Sequence, residues 1–288
     1  MDGRIVAGLG AVAVAIGAVG TAAAAPIPAG STYVALGSSY AAGPGIAQMA
    51  PDSPGRCGQS TDNYARQVAR ALKLNLVDRS CGGATTADIL GSGPLKLSPQ
   101  IEGVTADARL VTVTIGGNDV RYMAGLGAAV CHNNPDRFAE AVRARACTTP
   151  ADFNLGAAFA DAATNMGVIA AEVRRRAPQA RLVFVDYITV LPPGAPCAAT
   201  GLTSADAEDL RARAERLEQL TERVAKAAHA DLITASQLSR RHDACAAEPW
   251  VEAFVPARQG GGWGPVSFHP RLAAMTAIAE ALERRLGH

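Results

Sequence analysis

Four short blocks in this 288-residue chain hold side chains that could act on a carbonyl group. Ser38 and Ser39 follow the apolar run "TYVALG", Gly82 and Gly83 lie in "SCGGATT", Asn118 closes "TIGGN", and His269 sits in "VSFHP". A serine hydroxyl attacks an ester once a neighbouring base takes its proton, and imidazole titrates close enough to neutrality to be that base. An asparagine amide and unblocked glycine N–H groups can donate to the oxygen that becomes negative during the attack. Taken singly, each block has an ordinary reading. Serines at strand ends cap helices, paired glycines make tight turns, Gly-Gly-Asn-Asp makes an Asx turn, and lone histidines are common on surfaces. His132, His229, His242 and His288 have no comparable context.

The blocks gain meaning from what precedes them. "TYVALG", "NLVD", "LVTVTI" and "RLVFVDY" are apolar enough to be strands buried on both faces. Helical spacing of apolar residues marks 63–72, 152–177, 204–230 and 271–286, and Thr203 with Asp206 forms a capping-box signal at the start of the third. Strands alternating with helices predict an α/β fold, a central parallel sheet covered on both sides. In such a sheet ligands bind beyond the carboxyl ends of the strands, where the serine, glycine and asparagine blocks fall. The stretches 41–60, 117–150 and 188–202 read as long connections rich in Gly, Pro and Asn.

With 27 Lys and Arg against 26 Asp and Glu, no nucleic-acid partner is expected, and a small or apolar one fits better. Arg4 followed by the uncharged run Ile5–Ala25, with Ala22-Ala23-Ala24 near its end, reads as a signal peptide over 1–25, leaving a single domain over 26–288. The competing reading is a membrane anchor, because the run approaches the length of a spanning helix, about 20 residues. Six cysteines behind an export signal, none in a C-x-x-C pair, favour three disulfides, whose pairing the spacing leaves open.

Together, in this order, the blocks resemble the SGNH hydrolases, also called GDSL lipases and esterases, from Tyr33 to the last helix. The resemblance implies a three-layer α/β/α sandwich of flavodoxin-like kind. It selects Ser39 as nucleophile, His269 as base, and the N–H of Ser39, Gly83 and Asn118 as oxyanion donors. This sequence departs from the family pattern twice. Ser38 stands where the family has aspartate. Val266 stands three residues before His269, where the family has the carboxylate that orients the imidazole, and the Val266 carbonyl is expected to take that role. Secreted relatives with six cysteines join sequential neighbours, which implies Cys57–Cys81, Cys131–Cys147 and Cys197–Cys245.

The resemblance implies a secreted or cell-envelope serine esterase or lipase that needs no cofactor or metal and acts as a monomer on a small-molecule or lipid ester, touching envelope lipids peripherally. The apolar stretch "RYMAGLGAAV" after Asn118 favours fatty acyl esters if it lines the acyl pocket. The same machinery serves an acyltransferase or a carbohydrate deacetylase. Loss of both carboxylates is the feature that would suit a non-catalytic envelope binding protein instead.

Overall fold

The computed structural model describes residues 26–91, 93–140, 143, 147, 152–256 and 263–287. The signal-peptide and anchor readings of residues 1–25, and His288, lie outside the described residues. Five parallel strands, β1 (Thr32–Gly37), β2 (Asn75–Asp78), β3 (Ala108–Thr114), β4 (Arg181–Val185) and β5 (Asp231–Ile233), form one sheet in the order β2-β1-β3-β4-β5. β1, β3 and β4 are almost wholly buried, as their unbroken apolar runs require. β2 is a correction: "NLVD" alternates between exposed and half-buried because it lies at the sheet edge, with Val77 turned outward.

Eight α-helices are described: α1 (Ser39–Ala42), α2 (Tyr64–Ala71), α3 (Thr86–Leu90), α4 (Tyr122–Asn133), α5 (Leu155–Arg176), α6 (Ser204–Ala227), α7 (Ala235–Leu238) and α8 (Leu272–Leu286). α2 packs on α8, while α3 packs on α5 and both α4 and α5 pack on α6, so the helices form two groups. Right-handed crossovers require this, because the chain steps from β1 to β2 in one direction and then from β3 to β5 in the other, which puts the helices on opposite faces. The result is the three-layer α/β/α sandwich. At the start of α6 the Thr203 hydroxyl accepts from the Asp206 N–H at 3.2 Å and the Asp206 carboxylate accepts from the Thr203 N–H at 3.1 Å. No helix among the described residues is long and apolar enough to cross a membrane.

The stretch 117–150, expected as a connection, contains α4. Gly125 and Gly127 conceal this helix in the sequence, but Tyr122, Leu126 and Val130 recur at helical spacing and are buried.

Candidate active site

Strand order reverses between β1 and β3, and the candidate residues gather at the carboxyl ends around that point. β1 ends at Gly37, whose φ is +148° and where a Cβ would lie 2.4 Å from the Thr114 carbonyl oxygen, so only glycine fits. The buried Gln100 amide clamps the same residue. It accepts from the Gly37 N–H at 2.8 Å and donates to the Gly37 carbonyl at 3.0 Å. Ser39 begins the short helix α1 and is nearly buried, at 6% exposure. No acceptor among the described residues takes its N–H or that of Gly83, which leaves both donors open to a ligand.

His269 arrives from the far end of the chain. Its Nε2 lies 2.8 Å from Ser39 Oγ, and its Nδ1 lies 2.8 Å from the Ser267 carbonyl oxygen. A carbonyl only accepts, so Nδ1 carries the proton and Nε2 offers its lone pair to the serine hydroxyl. The orienting carbonyl is therefore Ser267's, correcting the expectation for Val266. Phe268 has φ +59°, which closes a tight turn in which the Val266 carbonyl accepts from the His269 backbone N–H at 3.1 Å. That turn engages Val266 with the main chain and aims the next carbonyl at the ring. Burial pushes the His269 pKa below its usual 6.5, and the hydrogen bond to Ser267 opposes this in part.

Tyr40, which sequence reasoning passed over, holds the turn in place. Its hydroxyl donates to the Phe268 carbonyl at 2.5 Å, and its ring centroid lies 5.4 Å from that of His269. Ser39 and His269 are thus joined twice, once by their direct contact and once through Tyr40 and the turn before His269.

The glycine and asparagine blocks are tied together by polar contacts. Asn118 Nδ2 donates to the Ala84 carbonyl at 2.8 Å, using one of its two amide hydrogens. The Asp119 carboxylate accepts from the Thr86 hydroxyl at 2.5 Å and from the Thr86 N–H at 3.1 Å. Burial raises the Asp119 pKa, and the Thr86 donors counter that shift. The Cys57–Cys81 disulfide fastens the glycine block to the loop after Ser39. The other two disulfides join Cys131 to Cys147 and Cys197 to Cys245.

At the other departure, the Ser38 Oγ lies 2.9 Å from the Tyr187 hydroxyl, and Ser38 is fully buried. Tyr187 follows β4 by two residues, and the sequence marks it only as the last residue of the run "RLVFVDY". Of the apolar stretch 121–130, which forms most of α4, Tyr122, Leu126 and Val130 are buried and the rest is half-buried or exposed, and the Met123 sulfur lies 3.4 Å from the Tyr40 hydroxyl oxygen.

A parallel α/β sandwich with a serine–histidine pair at its switch point defines the serine-hydrolase class of site. Comparison with known proteins narrows the class to a family. Residues 35–277 match the GDSL-like Lipase/Acylhydrolase family. Lipase 2 of Streptomyces coelicolor is 31% identical over 254 residues, spanning 83% of this chain and 80% of that one. Two solved structures share the fold with a TM-score of 0.69. Phospholipase A1 from Streptomyces albidoflavus is 23% identical and matches 89% of this chain and 100% of its own. The extracellular lipase from Streptomyces rimosus is 22% identical and matches 88% and 99%. The chain belongs to the GDSL-like lipase/acylhydrolase family and is a carboxylic ester hydrolase with a small-molecule ester substrate.

Proposed function

We propose that the protein hydrolyses fatty acyl esters through an acyl-enzyme on Ser39. The observation that carries this reading is the pair of 2.8 Å contacts made by the His269 ring, one to Ser39 Oγ and one to the Ser267 carbonyl. His269 Nε2 takes the hydroxyl proton as Ser39 Oγ attacks the ester carbonyl. The tetrahedral oxygen is met by the N–H groups of Ser39 and Gly83 and the free amide hydrogen of Asn118. His269 then passes the proton to the leaving alcohol, and water repeats the sequence to free the acid. Val266 has no part in this relay beyond its turn.

A carbonyl in place of a carboxylate still fixes the imidazole tautomer, which is the larger part of what the aspartate does in a triad. It stabilises the imidazolium less than a carboxylate does, and burial lowers the His269 pKa further than the Ser267 hydrogen bond restores it. The names of the relatives, lipase and phospholipase A1, support a fatty acyl substrate, and the extracellular lipase among them supports an extracytoplasmic site of action. We infer a monomer that meets envelope lipids only at its surface.

The test is fluorophosphonate labelling of the oxidised protein, followed by peptide mapping and turnover of p-nitrophenyl esters of increasing chain length. Labelling confined to Ser39 and lost in Ser39→Ala is expected, with turnover falling by about 10⁶. Labelling at Ser38, or turnover that survives Ser39→Ala, refutes the assignment. Preference for acetyl over longer esters would move the substrate to a deacetylase's.

A further inference from the structure

We infer that Tyr187 is a positioning residue that locks the nucleophile turn to the oxyanion turn through a single buried hydroxyl; this rests on the proposed serine mechanism. The Tyr187 hydroxyl oxygen accepts from the Gly117 N–H at 3.0 Å and pairs with Ser38 Oγ at 2.9 Å. Ser38 immediately precedes the nucleophile, and Gly117 immediately precedes Asn118. One oxygen therefore sets the spacing between the residue that attacks and the residue that receives the developing charge.

The approach is built into both sides of the contact. A Cβ on Gly117 would lie 2.6 Å from the Tyr187 ring, so this glycine is what lets the phenol reach the backbone. The ring is held by Tyr40, with centroids 4.5 Å apart, and Tyr187 is 4% exposed. Burial raises the phenol's pKa, which keeps it neutral and able to donate as well as accept. Among the described residues Ser38 Oγ has no side-chain partner but Tyr187. If Gly117 donates to the phenol and the phenol donates to Ser38, the two turns share one polarised chain of hydrogen bonds with no charged group in it.

A bridge of this kind acts on the transition state more than on substrate binding, because it fixes where the oxyanion donors stand relative to the attacking oxygen. The experiment compares Tyr187→Phe, Ser38→Ala and the double variant, with kcat expressed per fluorophosphonate-titrated site. Tyr187→Phe is expected to lower kcat about tenfold with KM little changed, a loss of about 1.4 kcal/mol in transition-state stabilisation. It is expected to weaken a trifluoromethyl ketone, which mimics the tetrahedral state, by the same factor. The double variant should lose less than the product of the two single losses, since both cuts sever one bridge.

A purely structural tyrosine would lower the melting temperature and the titratable fraction while leaving kcat per titrated site and ketone affinity intact, and that result overturns the inference. Multiplicative losses in the double variant overturn it as well. Should Tyr187→Phe not fold, Ser38→Ala alone still decides, because it must lower kcat per site and ketone affinity together. Failure of the wild-type protein to label at Ser39 is a different outcome, which removes the serine mechanism itself.

Discussion

Removing the Cys57–Cys81 disulfide with Cys57→Ala and Cys81→Ala separates stability from catalysis. The bridge closes a loop with a sequence separation of 24, and the chain-entropy relation gives about 3.4 kcal/mol at 25 °C for it. The same relation gives about 3.1 kcal/mol for Cys131–Cys147, at a separation of 16, and about 4.1 for Cys197–Cys245, at 48. On stability alone the three pairs are near equals, and loss of the first should lower the melting temperature by about 7–14 °C at roughly 2–4 °C per kcal/mol. On activity they differ. The Cys57 carbonyl accepts from the Gly82 N–H at 2.9 Å, and the Cys81 N–H donates to the Gly37 carbonyl at 3.0 Å, so this bridge sits between the Ser39 turn and Gly83. Freed of it, the Gly83 donor loses its fixed place, and kcat per titrated site should fall about tenfold or more, the scale of a weakened oxyanion contact. The two other Cys→Ala pairs should leave that value within about twofold. The assay is thermal unfolding beside active-site titration and ester turnover at a temperature where every variant is folded. If the Cys197→Ala, Cys245→Ala pair depresses kcat per site as much as the Cys57, Cys81 pair does, the assignment of this disulfide to the oxyanion site is wrong.

The remaining expectations are briefer. Asn118→Ala should lower kcat by about 10² to 10³ with a smaller change in KM, measured with a p-nitrophenyl ester; an unchanged kcat removes Asn118 from the oxyanion site. Tyr40→Phe leaves the buried Phe268 carbonyl without the only donor it has among the described residues, costing about 1–3 kcal/mol in chemical denaturation, and kcat should fall with it as the His269 turn loosens. The low pKa of His269 places the acid limb of the kcat/KM profile below 6.5, activity falling as pH drops through that pKa and the base is protonated; a limb above 6.5 contradicts the buried, carbonyl-oriented ring. Burial lifts Glu218 to about 7, with Asp186 nearby adding to the shift, so between its unfolded and folded pKa the native state binds the extra proton and stability falls as pH rises. Glu218→Gln should therefore stabilise the protein at pH 8, by about 1 kcal/mol or less for a half-buried group, and leave it nearly unchanged at pH 5; equal effects at both values would exclude the ionisation as the cause.

What the chain reveals before folding and what it hides divide along a physical line. Ser39, Gly83 and Asn118 each follow an apolar strand within a few residues, so a local pattern of strand then small polar residue marks them, and His269 is marked by its proline and the helix that follows. The edge position of β2 is not local, because "NLVD" differs from a central strand only in what pairs with it. β5 has three residues, Asp231–Ile233, too few for any periodicity to register. The orienting carbonyl depends on a single dihedral, the left-handed φ of Phe268, at a residue type that ordinarily avoids that region. No composition or spacing announces it, and an alignment to a family carboxylate points one residue away.

Tyr40, Gln100 and Tyr187 were hidden for a related reason. Their contacts span 228, 63 and 70 residues of sequence, and each works by filling a hydrogen bond that the main chain of another block leaves open. Residues that attack or receive charge must be of particular types, so their identity survives in a short motif. Residues that hold those groups in place need only reach the right backbone atom, and many types can do so from many places. A site with serine and valine at the two positions where the resemblance leads one to expect carboxylates can keep its geometry in this way. At Ser38 the hydroxyl of Tyr187 reaches across from just beyond β4, and at His269 a main-chain carbonyl faces the ring.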